Sequence, residues 1–290
     1  MLNLIKMDLY RMFHSLSTWI IILFTAGMAL FCVVMVQGDL DAMADDPAYA
    51  QEMEQEAASA SDGNEDRQIG LYSESDPEWI EGRIDAGEFI SSQLQSGLLT
   101  LFVVIFAAIF ANAEQKNGYV KNIAGQLTNR GTLALSKLAA SAVQVFIMLL
   151  VFSLAAGVRE KILWGGRFSL GSLTDMLPFL GAQYLLNLGI AALILFLCIL
   201  TKSSAFSMTA GIVMVMGLFV PLYSIINRAV YEIRPSWDFD ISLYLPDGNI
   251  GLAGLHASSE ILIRAAVVGV AFVIVCAAVS ALIMKKRDVR

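Results

Sequence analysis

The chain of 290 residues is 57% hydrophobic and 16% charged, against roughly a quarter charged in an ordinary soluble domain. That composition gives no footing to a soluble enzyme or a nucleic-acid-binding module and assigns the chain to a lipid bilayer. The formal charge of −7 matters less than its distribution, because sidedness in a membrane follows Lys and Arg rather than net charge.

Residues 2–16 place Leu2, Ile5, Leu9, Met12, Phe13 and Leu16 at spacings of three and four, with Asn3, Lys6 and Arg11 largely elsewhere. This pattern predicts an amphipathic helix lying in the headgroup region, or the lead into the first span. The apolar run at 19–36 superficially resembles a secretory signal, and Ala42, Met43 and Ala44 mimic a cleavage site. The run is too long for a signal core and is read as a retained span. Crossing about 30 Å of hydrocarbon takes roughly 20 apolar residues in a helix, whose backbone groups pair within the segment. Six such spans are expected, at 17–37, 90–113, 133–157, 178–200, 204–226 and 261–284, with no Asp, Glu, Lys or Arg in the middle of any. Cys32, Cys198 and Cys276 each lie inside an apolar run, so a disulfide framework is not expected.

Between the first two spans, residues 38–89 form a long acidic segment with sixteen Asp or Glu against Arg67 and Arg83. Either it attracts cationic molecules by its field, or its charge only keeps it out of the membrane. Within it, Asp76, Pro77 and Glu78 predict an N-cap and first turn, opening a helix through Trp79, Ile80 and Ile84 towards the second span. Residues 114–132 form a polar loop before the third span. The second outer loop, 158–177, carries Trp164 beside Gly165 and Gly166, and Pro178 is read as opening the fourth span. Thr201, Lys202 and Ser203 make a tight turn between antiparallel neighbours. Pro221 is expected to bend the fifth span near its outer end. Residues 227–260 contain Tyr231, Trp237, Tyr244 and a Pro246–Gly254 stretch rich in turn residues. They predict a re-entrant outer segment of short helices, acceptable at depth only where protein or water covers the backbone. Glu260 and Arg264 are expected to pair locally.

The expectation is an all-α membrane protein, one transmembrane domain over 1–290. An even number of spans puts both termini on one face. That face carries eleven Lys or Arg and three Asp or Glu, and the opposite face eight and twenty-three. The positive-inside rule therefore makes both termini and the 114–132 loop cytoplasmic.

No G-x-x-x-x-G-K-[ST], H-E-x-x-H, paired-cysteine or serine-elbow motif occurs, nor metal-ligand spacing, and the two histidines, His14 and His256, are far apart. The chain is thus not expected to be an enzyme or to hold a cofactor or metal of its own. Polar residues in the spans are few: Asn112, Gln144, Gln183 and Asn187. Gln144, Gln183 and Asn187 either knit helices together or line a translocation path.

Six spans with both ends inside, an amphipathic first helix, a broken outer segment before the last span and the loop after span two together resemble a permease subunit of a type-2 ABC exporter. The most specific part is Glu114 followed by Lys116, Asn117 and Gly118, then Lys121, Asn122, Arg130 and Lys137. The resemblance is nearest to small bacterial permeases for peptide-antibiotic resistance and toxin export, and it covers essentially the whole chain. It implies a coupling helix at Asn117–Ala124 seated on a separate ATP-binding-cassette ATPase, which would carry the ATP and Mg. It further implies a second permease copy or homologue, and residence in the bacterial cytoplasmic (plasma) membrane among its lipids. On that reading Tyr119, Val120, Ile123 and Ala124 belong to the docking loop, with Val120, Ile123 and Ala124 filling an apolar groove. Lys116, Lys121 and Arg130 then meet its rim, and Lys6 and Arg11 mark the interfacial helix. The acidic first outer loop is longer than in compact members. Two other functions remain open: a secondary transporter or channel, disfavoured by the lack of buried ionisable residues in the spans, and a sensor whose acidic loop binds a cationic peptide.

Overall fold

The structure, a computed structural model, describes residues 1–46, 48–51, 53, 75, 77–80, 82–116, 130–235, 237 and 239–286, with backbone alone at 77–78 and 113–116. Helix α1 (Leu2–Phe13) leads into α2 (Leu16–Asp45). A 3-10 turn (Pro77–Ile80) and strand β1 (Ile84–Asp85) precede α3 (Ala86–Gln95) and α4 (Leu98–Lys116). Helix α5 (Thr132–Trp164) is followed by a 3-10 turn, strand β2 (Phe168–Ser169) and α6 (Leu173–Thr201). Then come α7 (Ser204–Val215), α8 (Val220–Ile233), a 3-10 turn (Ile241–Tyr244), α9 (Pro246–Ile250) and α10 (Ser259–Lys286).

Four helices, α2, α5, α6 and α10, are each long and apolar enough to cross a membrane, and the number is up to six if each of the bent pairs α3–α4 and α7–α8 counts as one span. Each of the six predicted spans falls on one of these units. Their interiors follow apolar stripes. On α2, Val33, Val36, Leu40 and Met43 are buried at spacings of three and four, so the helix outruns the predicted end at residue 37 and carries the first eight residues of the expected loop. On α5, Val145, Met148, Phe152, Ala156 and Trp164 keep one face buried to the last turn, and Arg159, Glu160 and Lys161 are helical rather than loop.

Helix α6 is the most buried of the four unbroken spans and α10 the most exposed. These two make the most extensive helix pair in the molecule, because glycines let their backbones touch. A Cβ added at Gly269 would lie 2.5 Å from the carbonyl oxygen of Leu185, and one at Gly189 would lie 3.1 Å from that of Gly269. In lipid, where apolar side chains gain nothing by meeting each other rather than acyl chains, close packing at small residues is a main source of helix association.

Three local expectations are corrected. In the second span unit, for which no bend was expected or excluded, Gly97, at φ +81, breaks the helix, and α3 and α4 meet at 53°. The signal was the polar run Ser91, Ser92, Gln93, Gln95 and Ser96 just before that glycine. Its start is also later than the Asp76 cap implied. Pro77–Ile80 makes only one 3-10 turn, and β1 interrupts the chain through its two-residue parallel pairing with β2 (Ile84 with Phe168, Asp85 with Ser169). Asp85 then caps α3 by accepting from the Gly87 N–H at 2.7 Å. Pro178 lies inside α6 rather than at its start, because Ser172 and Asp175 already begin the helix at Leu173. The fifth unit does bend, by 71°, but the break is made by Gly217 at φ +71, and Pro221 sits in the first turn of α8, where its missing N–H leaves no bond unmade.

Substituting Gly269 by Ala is expected to force α6 and α10 apart and cost about 1–3 kcal/mol, read as a lowered Tm of the purified chain in detergent. An unchanged Tm would mean that the helices do not touch there.

Candidate functional site

Helix α1 and the ends of α4, α5, α6 and α7 nearest it lie on one face, from which the chain leaves α4 towards the loop singled out in the sequence and re-enters at α5. Of that loop, Glu114 and Lys116 belong to the last turns of α4. Asn117, Tyr119, Val120, Lys121, Asn122, Ile123 and Ala124 lie outside the described residues. Arg130 is half-buried in the turn that starts α5, its carbonyl accepting from the Leu133 N–H.

Both shoulders of the loop are fastened. On the α4 side, the Asn112 amide donates to the Ser204 hydroxyl at 2.7 Å, joining α4 to the first turn of α7. Ser203 caps that turn, and Lys202, in the left-handed region at φ 58, closes α6 just before it. The tight turn expected between antiparallel neighbours is therefore present. On the α5 side, the Lys137 ammonium lies 5.0 Å from the centroid of the Phe110 ring, a cation–π contact back to α4.

One residue on this face was missed. Asp8 is 1% exposed, and its carboxylate accepts from the Ser136 hydroxyl at 2.6 Å, holding α1 against α5. Arg11 lies 4.0 Å from the same carboxylate, while Lys6 is exposed. The amphipathic helix is thus attached through an acid within its apolar stripe, between Ile5 and Met12. That oddity was readable, since Asp8 is one of only three acids counted on a face with eleven bases. At the far end of α1, the Trp19 indole donates to the Phe13 carbonyl at 2.8 Å, fixing the corner into α2.

The three candidate path residues are not one group. Gln183, fully buried, donates through its amide to the carbonyls of Ile250 at 2.9 Å and Ala253 at 2.8 Å. Asn187 accepts from the Thr100 hydroxyl of α4 at 2.8 Å and donates to the Gln183 carbonyl. These two therefore knit α6 to α4 and to the outer segment. Gln144 is buried, and among the described residues neither of its amide atoms has a partner.

The outer segment is bound from three sides. Along α3, Glu88 meets His256 at 3.3 Å, Ser91 accepts from the Leu255 N–H at 2.8 Å, and Gln95 donates to the Gly251 carbonyl at 2.7 Å. From α10, Arg264 donates to Asn249 at 3.2 Å, and among the described residues it makes no ion pair with Glu260. The expected local pair is therefore replaced, because Asn249 presents a carbonyl oxygen within reach in the folded chain. Asn249 itself donates to the carbonyls of Leu243 and Leu245. Nearby, Arg167 donates to the carbonyls of Gly82, Trp79 and Ile80, and Trp164 donates to Gln37. Trp164 also packs edge-on against Phe89, their centroids 5.7 Å apart. Glu160, one turn below Trp164 on the same buried stripe, is fully buried, and among the described residues neither of its oxygens is hydrogen-bonded. Among the described residues no group of three His, Cys, Asp or Glu is placed to hold a metal.

Residues 78–218, just under half of the chain, match the family model described as ABC-2 family transporter protein. The match runs from the 3-10 turn before α3 into the break after α7 and includes the 114–132 loop. It supports an ABC-2 type permease, a transmembrane component of an ABC exporter, and implies partnership with an ABC ATPase. Such a permease domain is typically without an ATPase of its own. With several helices apolar enough to cross a bilayer, the chain reads as a multi-pass membrane protein. No curated protein matches it.

Replacing Asp8 by Ala removes a charged acceptor worth about 1.5–3 kcal/mol. Amide hydrogen exchange over residues 2–13 is expected to accelerate about tenfold or more, with the bundle unaffected. Gln183→Leu leaves two buried carbonyls without a donor and is expected to cost about 1–3 kcal/mol, seen as a lower Tm and faster exchange at 250–253. Unchanged exchange at either place would refute the corresponding contact.

Proposed function

We propose that the chain is the membrane half of an ATP-driven exporter in a bacterial cytoplasmic membrane. It works as a dimer, with itself or a homologous permease, on two ABC ATPase subunits that carry the ATP and Mg. The six span units cross the bilayer, both termini are cytoplasmic, and the cargo moved outward is hydrophobic or amphipathic, a peptide, antibiotic or lipid-like molecule. The observation that carries this is the family match over 78–218, because it includes the loop between the second and third span units. The Lys and Arg count supports the sidedness.

The mechanism follows from how the loop's shoulders are held. In the proposal, Val120, Ile123 and Ala124 seat in an apolar groove of the ATPase, and Lys116, Lys121 and Arg130 meet its rim. A displacement of that seat acts on α4 and α5 at once. Through Asn112–Ser204, Lys137–Phe110 and Ser136–Asp8 it would carry α7 and α1 along. The inner half would then move as a block, while the breaks at Gly97 and Gly217 give the outer halves of the two bent pairs separate freedom.

In a purified complex with its ATPase, scrambling residues 120–124 is expected to bring substrate-stimulated ATP hydrolysis and export to background while the chain still folds. Unchanged hydrolysis and export would sink the proposal. A chain that copurifies with no P-loop protein and binds a cationic peptide through residues 38–89 would instead favour the sensor.

A further inference from the structure

A groove of about 450 Å³ runs between α2 and α5, lined by Gly27, Leu30, Phe31 and Val34 on one side and Val158, Arg159 and Ile162 on the other. Its volume is within the roughly 300–1,000 Å³ of small-ligand sites. Every lining side chain is apolar except Arg159, which is half-buried and makes no hydrogen bond or ion pair among the described residues. The neighbouring carboxyl of Glu160 gives it no relief, since that side chain points into the protein, buried and unpartnered.

The two helices run in the same direction. At one end α1, which leads into α2, is held to Ser136 of α5, and at the other Gln37 accepts from Trp164. That last bond sets residue 37 level with residue 164. With 1.5 Å of rise per residue, Gly27 lies about 7 Å deeper in the bundle than Arg159. The groove therefore has an apolar floor at Gly27 towards the membrane middle and a single cation above it, beyond the apolar segment 133–157, with Val34 and Ile162 nearer the rim. Leu30, Phe31, Val34, Val158 and Ile162 are apolar, and four of them, Leu30, Phe31, Val34 and Val158, are 41–59% exposed, so this face looks towards lipid. A guanidinium with no ion pair among the described residues, at the edge of hydrocarbon, is complementary to a phosphate, which it meets with two parallel N–H donors.

We propose that this groove holds one anionic phospholipid, its acyl chain against Gly27 and Phe31 and its phosphate on Arg159. The leaflet, the one remote from the termini, rests on the sidedness proposed above; the site itself does not depend on the exporter reading. The lipid is a resident ligand that mortars α2 to α5 at the end where Glu160 lies unpaired.

The test is native mass spectrometry of the purified full chain in micelles with phosphatidylglycerol or phosphatidylcholine of identical acyl chains. The wild type is expected to retain one phosphatidylglycerol with about fivefold preference. Arg159→Gln should abolish the preference and Arg159→Lys should keep part of it. Gly27→Leu should reduce retention of both lipids, and a Cβ at Gly27 meets nothing within 4 Å, so the fold is spared. Should Gly27→Leu fail to fold, the Gln and Lys variants decide by themselves. Equal retention of the two lipids by the wild type, or a preference that survives in Arg159→Gln, means an annular lipid only and overturns the proposal. Because ATP hydrolysis is not read, this failure is distinct from failure of the docking loop.

Discussion

A bilayer offers no water to a backbone N–H or C=O, and that constraint explains more of this molecule than any single contact. Where the chain is helical the demand is met locally. Where it is not, at 251–258, side chains supply part of what the helix would have given, while at the two breaks the N–H groups of Ser96, Gly97, Met216, Gly217 and Leu218 still find backbone carbonyls. Gln183 is the clearest case: a fully buried amide with two donors, both spent on carbonyls of the non-helical stretch after α9. Gln95 and Ser91 from α3 and Arg264 from α10 complete the enclosure. The outer segment is therefore held by specific hydrogen bonds, and it loosens when they are broken.

The same reasoning separates the two ends of the bundle. At the end nearest α1, the contacts at Asp8, Lys137 and Asn112 join four helices and leave them little independent freedom. At the outer end the helices are broken by glycines in the left-handed region and joined by a two-residue strand pair and an Arg167 that reaches three carbonyls. A stiff inner end with an articulated outer end suits a device driven from one side and opened on the other, which is the sense of the proposed mechanism.

Much of the fold was legible in the sequence, because apolar length alone marks a membrane helix. All six predicted spans correspond to a helix or a bent pair. The boundaries were less legible because helices do not stop where hydrocarbon does: α2 and α5 continue while a buried stripe continues, through Leu40 and Met43 and as far as Trp164. Neither Gly97 nor Gly217 was legible as a break, the bend of the fifth span having been assigned to Pro221, since a single glycine signals a break only once its φ is known. Of the candidate site, Asn112 and Lys137 stood out in the sequence only as a polar residue in a span and a base beside the loop, their partners Ser204 and Phe110 not being legible there, and Asp8 was legible as an oddity but not as an attachment. A lone acid on an amphipathic helix looks like a solvated charge until the helix it faces supplies a hydroxyl. Gln183 and Asn187 were visible as polar residues four apart, yet only the folded chain separates their knitting role from Gln144, which has no hydrogen-bond partner among the described residues.

The account stands or falls on where energy enters. A photoreactive amino acid placed at Val120, in the complex of the full chain with its ATPase in a membrane, tests this directly. The account predicts an adduct to the ATPase whose yield changes when ATP is trapped on it. An adduct formed only within the chain itself, or none in any nucleotide state, would contradict it.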